Sequence, residues 1–251
     1  STLTTTGASL KTMVDSDGNL KWAPHNAQPR SEDFDNTQWI KTNATVSSNV
    51  LTASSGSGIA TWIQGQNQNF LVLEEEFTHE LRVTPGTAPY VSLGILASTA
   101  ISAVAVVNMT DGTVEFQNAD FNVSSYNVTV TQVGSDWVIR ISATFDAGSI
   151  LRFDIGVYGG DPSTLAAEKR VQDLTYNPAG TETATLVYAA MFRSDLGGMV
   201  NNPDRGDSYV PTTGSAVYLS RRGSHVNNGA SWVNEGIGLE SAERTNIVTH
   251  S

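Results

Sequence analysis

The chain has 251 residues, of which 39% are hydrophobic and only 16% charged, with 22 Gly among many Ser, Thr and Asn. That length is ordinary for a single all-β sandwich, and the mix suits short strands joined by tight turns far better than long helices. A formal net charge of −11 repels phosphate backbones and anionic lipid, so nucleic acid and membrane are excluded as expected partners, while neutral sugars stay compatible.

In chain order, extended runs rich in branched residues occupy 70–74, 78–84, 91–96 and 103–109. Asp111-Gly112 then reads as a two-residue hairpin leading into 114–116, because Gly tolerates the positive φ of a primed turn. Further strands are expected at 126–131, 137–145, 150–158 and 184–192, with turn residues between nearly all of them. Alternation is clear in two. Trp137, Ile139, Ile141, Ala143 and Phe145 share one face of their strand, opposite Asp136, Val138, Arg140, Ser142 and Thr144. Leu151, Phe153, Ile155 and Val157 share a face of the next, with Arg152 and Asp154 opposite. Only 163–171 reads as a helical turn or two. About nine or ten strands with almost no helix predict an all-β, two-sheet sandwich or barrel.

The two ends carry an internal repeat. Residues 5–10 match 212–217, and Gly18…Asn26…Ser31 matches Gly238…Asn246…Ser251 with equal spacing. The expected organisation is an N-terminal connector or hairpin at 1–30, a sandwich domain at 31–214, and a C-terminal connector at 215–251 that resembles the first. Either the parent protein is a tandem array, or the second connector returns to close the fold.

Four segments in order carry a resemblance: Ser31-Glu-Asp-Phe34 followed by Trp39-Ile-Lys41; Gly134-Ser-Asp-Trp137-Val-Ile-Arg140; Asp207-Ser-Tyr209-Val-Pro211-Thr-Thr; and Glu240-Ser-Ala-Glu-Arg244-Thr-Asn246. Together they resemble carbohydrate-binding-module-like jelly-roll domains of phage tail-fibre and head-fibre proteins, or of gene-transfer-particle spikes. The chain departs from that pattern at Tyr188-Ala-Ala-Met-Phe-Arg193, where the family often has Trp-Gly-Ala-Gln-Leu-Glu. The resemblance implies a two-sheet, concanavalin-like jelly roll on the surface of a virion or phage-like particle. It also implies extracellular action, contact with host cell-surface or capsular polysaccharide, and other particle proteins as partners, including further copies of itself.

Sugar binding needs flat apolar faces for pyranose C–H groups and planar polar groups for hydroxyls. Trp62, Gln64, Gln66 and Asn67 offer both in one short stretch, since an amide donates and accepts together; the plainer reading makes Trp62 a core aromatic and the amides solvated loop. Arg82, Arg140, Arg152 and Asp154, with Glu80, lie on the polar faces of central strands. They would suit an anionic sugar through bidentate guanidinium contacts, or would simply pair with one another along a solvated face. Tyr90 and Tyr158 stand at strand ends beside Pro or Gly as candidate platforms, whereas Trp39 and Trp137 read as core.

Glu32, Asp33 and Asp35 could supply oxygens to a structural Ca²⁺, which needs six to eight; no other cofactor is expected. Glu74, Glu75 and Glu76 read as a solvated or charge-protected edge, and Arg205-Gly206-Asp207 as a turn. The four histidines lack metal-ligand spacing, and no nucleophile elbow, phosphate loop or zinc signature occurs. Cysteine is absent, which removes disulfides and thiol chemistry. No apolar window reaches membrane-spanning length, and no leader peptide is read at Ser1. The expectation is a non-catalytic glycan-recognition module. Its alternatives are a structural fibre or spike assembly protein, and a polysaccharide lyase or hydrolase on a sandwich.

Overall fold

The computed structural model of the chain describes residues 6–7, 10–69, 71–98, 100–196, 209–219 and 224–234. The Arg-Gly-Asp tripeptide, the motif at 240–246, Phe70 and His250 lie outside the described residues.

Four short strands come first: β1 (Thr6–Gly7), β2 (Thr12–Val14), β3 (Leu20–Trp22) and β4 (His25–Asn26). The sandwich follows, with β5 (Ile40–Thr42), β6 (Ala44–Ser47), β7 (Val50–Ala53), β8 (Thr61–Gln64), β9 (Glu76–Pro85) and β10 (Tyr90–Leu96). It continues through β11 (Ser102–Asn108), β12 (Val114–Ala119), β13 (Val123–Val133), β14 (Asp136–Phe145), β15 (Arg152–Tyr158) and β16 (Thr183–Arg193). Then come β17 (Val217–Leu219), β18 (His225–Asn227) and β19 (Trp232–Asn234).

Two six-stranded antiparallel sheets form a jelly-roll-like sandwich. The first has the order β12-β11-β10-β15-β8-β5, the second β13-β14-β9-β16-β7-β6. The face expected on β14 is the one buried: Trp137, Ile139, Ile141, Ala143 and Phe145 join Leu81, Val83, Leu93, Ile95, Phe153 and Ile155 in one core. Period-two alternation works here because one side of each strand meets the other sheet across a dry interior. Trp39 and Trp137 both belong to that core, and each satisfies its indole N–H on a carbonyl, Arg30 O at 3.0 Å and Met109 O at 3.1 Å.

Two local expectations are corrected. Residues 71–75 form no strand; they carry the chain from β8 in the first sheet to β9 in the second, Val72 and Leu73 are exposed, and Glu74 takes φ +64°. A run of branched residues signals a strand only where a partner edge is in reach, and a crossing between layers has none. Glu75 and Glu76 are engaged separately: Glu75 pairs with Arg193 at 2.8 Å, and Glu76 accepts the Ser194 hydroxyl at 2.6 Å. The β11–β12 connection is residues 109–113, not a two-residue hairpin; Gly112 does take positive φ, and a Cβ there would strike the Trp137 ring at 2.6 Å. The helical turn or two expected at 163–171 is present as two 3-10 turns at its ends, Pro162–Thr164 and Val171–Asp173.

The connectors meet each other. β17 pairs with β1 on one side and β4 on the other, so the second connector returns onto the first. The start of the sandwich and the segment before β17 are laced together: the Ser31 and Tyr209 hydroxyls lie 2.7 Å apart, Thr212 N donates to Ser31 Oγ at 2.8 Å, and Ser31 N donates to Thr212 Oγ1 at 3.1 Å. Several residues of the motifs at 31–41 and 207–214 thus close one joint.

Candidate functional site

The outer face of the first sheet splits into two parts. Over one part of it runs a strap, residues 159–182, bridged to the segment just before β8 where Ile59 and Tyr176 pair. Val171, Leu174 and Tyr176 of the strap bury against Trp62, Val104, Val106 and Tyr158 in a second apolar cluster. Small residues make room for it: a Cβ at Gly94 or Gly156 would meet the Val171 methyls at 3.0 and 2.8 Å. Tyr158 is 2% exposed, stands 5.2 Å from the Tyr176 ring and 6.3 Å from the half-buried Tyr90, and so packs under the strap. Burial pushes the Tyr176 hydroxyl up to about 12, and that hydroxyl lies 3.0 Å from Thr61 Oγ1.

Beyond the strap, at the sheet edge formed by β5, the face opens. A cleft of about 410 Å³ is lined by Ile40, Gln64, Gly65, Gln66 and Asn67. Its floor follows from strand register: Ile40 pairs with Gln64, and Gln64 with Asp154, so the three side chains leave the sheet on the same side. Ile40 is 53% exposed. The cleft therefore combines one exposed aliphatic surface with three planar amides.

Of the ten residues expected at a glycan site, the cleft brings together Gln64, Gln66 and Asn67. Trp62 lies one register position further along the same face, 8% exposed, with the Arg152 guanidinium 5.7 Å from its ring centroid. Arg152 grips Asp154 through two bonds of 2.9 Å, and Asp154 is fully buried. Burial pushes the Asp154 carboxyl up to about 6, against the hydrogen bonds and charge of Arg152. The polar face of β15 is thus roofed rather than solvated. Arg82 and Arg140 sit on the outer face of the other sheet. Arg82 pairs with Asp136 at 2.7 Å, and Arg140 pairs with Glu80, which also accepts the Tyr188 hydroxyl at 2.6 Å. Intramolecular pairing is what these guanidiniums do. Ile40 and Gly65 had no sequence signal pointing to the cleft.

Of the three residues expected to offer oxygens to Ca²⁺, Asp33 and Asp35 engage their carboxylates within the protein and Glu32 its backbone carbonyl. Asp33 accepts from Asn36 and pairs with Arg30 at 3.5 Å, Asp35 accepts from Asn49 N at 3.0 Å, and Glu32 contributes its carbonyl to Asn49 Nδ2 at 2.8 Å. Among the described residues no three His, Asp or Glu side chains converge as a metal site. Two histidines, His79 and His25, are deeply buried, and burial holds them down at about 3 and about 4.

No family model matches the sequence, and no curated protein matches it either.

Proposed function

We propose that this chain is a non-catalytic glycan-recognition module of a surface fibre or spike of a phage or phage-like particle, binding host polysaccharide in the cleft at the β5 edge. The observation that carries this reading is the lining itself: Gln64, Gln66 and Asn67 beside the exposed Ile40. Each amide presents a donor and an acceptor in one plane, which suits vicinal hydroxyls, and an aliphatic surface suits the C–H side of a ring. The four ordered motif resemblances supply the particle-surface context.

The test is titration of the whole chain with host capsule and lipopolysaccharide preparations. Gln64→Ala and Asn67→Ala should each weaken binding about threefold to tenfold, the worth of one net hydrogen bond. Gln132→Ala, exposed on β13, should change nothing. A wild-type chain that binds no host glycan overturns the reading.

A second reading rests on its own observation. Leu20 on β3 and Val226, Trp232 and Val233 on β18 and β19 are exposed apolar residues on the terminal hairpins, which suits assembly into a fibre. It expects oligomers by sedimentation velocity and no sugar affinity.

A further inference from the structure

We infer that the cleft selects uncharged pyranoside chains over acidic ones; the inference rests on the glycan reading of the cleft. None of the five lining residues carries a charge. The nearest charged neighbour in strand register is Asp154, whose carboxylate is fully buried and fork-bonded by Arg152. The Arg152 guanidinium is turned to that carboxylate and to the Trp62 ring, so its charge is spent inside the protein. Lys41 follows Ile40 on β5 but pairs in register with the core residue Ile63, and its ammonium donates to the carbonyls of Asp35 and Asn36. A uronate or sulfate entering the cleft would lose part of its hydration without gaining a cation, and an anion is penalised for each water it gives up unpaired. The whole-chain charge of −11 adds a long-range field of the same sign. Hydroxyls meet no such penalty, because amides replace their water partners one for one.

Polymer pairs that share a backbone and differ chiefly in charge test this: fully methyl-esterified against de-esterified polygalacturonate, hydroxyethyl-cellulose against carboxymethyl-cellulose, and dextran against dextran sulfate, each titrated against the whole chain. The neutral member of any pair that binds should be at least about tenfold tighter. Its affinity should hold up to about 0.5 M NaCl, where charge attraction is screened within a few ångström. Gln66→Arg, which places a guanidinium at an exposed lining position, should narrow or reverse the preference. Equal or tighter binding of an acidic member, lost on adding salt, overturns this inference while leaving the glycan reading standing. Failure to bind any of the six polymers or the host preparations overturns both.

Discussion

Gly65 is the point where the cleft touches the N-terminal connector. A Cβ there would lie 2.6 Å from Gln28 Oε1 and 2.9 Å from its Nε2, and Gln28 is 1% exposed, its amide nitrogen donating to Pro29 O at 2.9 Å. The amide is boxed in. Its oxygen has no hydrogen-bond partner, so the site already carries a desolvation cost that a closer neighbour would not relieve. Gly65→Ala is therefore expected to destabilise the chain by about 1–3 kcal/mol, the usual range for overpacking, and to weaken glycan binding by displacing the loop between Gln64 and Gln66. Gln28→Ala removes the obstacle, so the double variant should be more stable than the two single losses predict. Urea melts of the four chains measure this directly. Strict additivity would mean that the collision is absorbed elsewhere and that Gly65 does not couple connector to cleft.

At the scale of elements, the strap has little backbone order of its own, since its two 3-10 turns span three residues each. What holds it is side-chain burial, with Val171 seated over Gly94 and Gly156, and the two-way backbone bridge between Ile59 and Tyr176 at 3.0 and 3.1 Å. Val171→Ala deletes two buried methyl equivalents and should cost about 2 kcal/mol. The loss should be read first as faster amide exchange at Leu174 and Tyr176, with β10 and β15 unchanged; equal acceleration across both sheets would show that the strap opens only with the whole sandwich. The same element explains why part of the site was legible in the sequence and part was not. Period two gave the buried face of β14 and the opposition of Arg152 and Asp154 to Phe153 and Ile155, because those facts belong to single strands. It could not reveal that Asp154 is roofed, since the roof comes from residues 159–182, which have no periodicity to read. The three- and four-residue strands β5 to β8 are too short for any alternation signal, so nothing marked Ile40 as an exposed edge residue. The amides at 64, 66 and 67 were legible by type, whereas Trp62 beside them is an interior ring, in one apolar cluster with Val171, Leu174 and Tyr176 of the strap and with the Arg152 guanidinium over it.

For the whole molecule, three buried groups titrate far enough from their ordinary values to bear on folding stability in mild acid, and they do not pull the same way. His79 and His25 are held neutral by burial, at about 3 and about 4 against an ordinary value of 6.5. At pH 5 to 6 each is therefore bare in the folded chain and mostly protonated in the unfolded one, so the unfolded state binds about two more protons there. Asp154, raised by burial from 3.8 to about 6, is mostly protonated when folded and ionised when unfolded, which returns about one proton to the folded side. The net excess is about one proton on unfolding, so stability should fall by roughly 1 kcal/mol from pH 6 to pH 5. Asp154→Asn removes the opposing group and should steepen that slope to about twice its value, whereas His79→Gln should flatten it to near zero. Urea denaturation at half-unit pH steps measures all three slopes. A wild-type stability that rises on acidification through this window would mean that Asp154 outweighs both histidines, and the assignment of His79 and His25 as neutral core residues would fail with it.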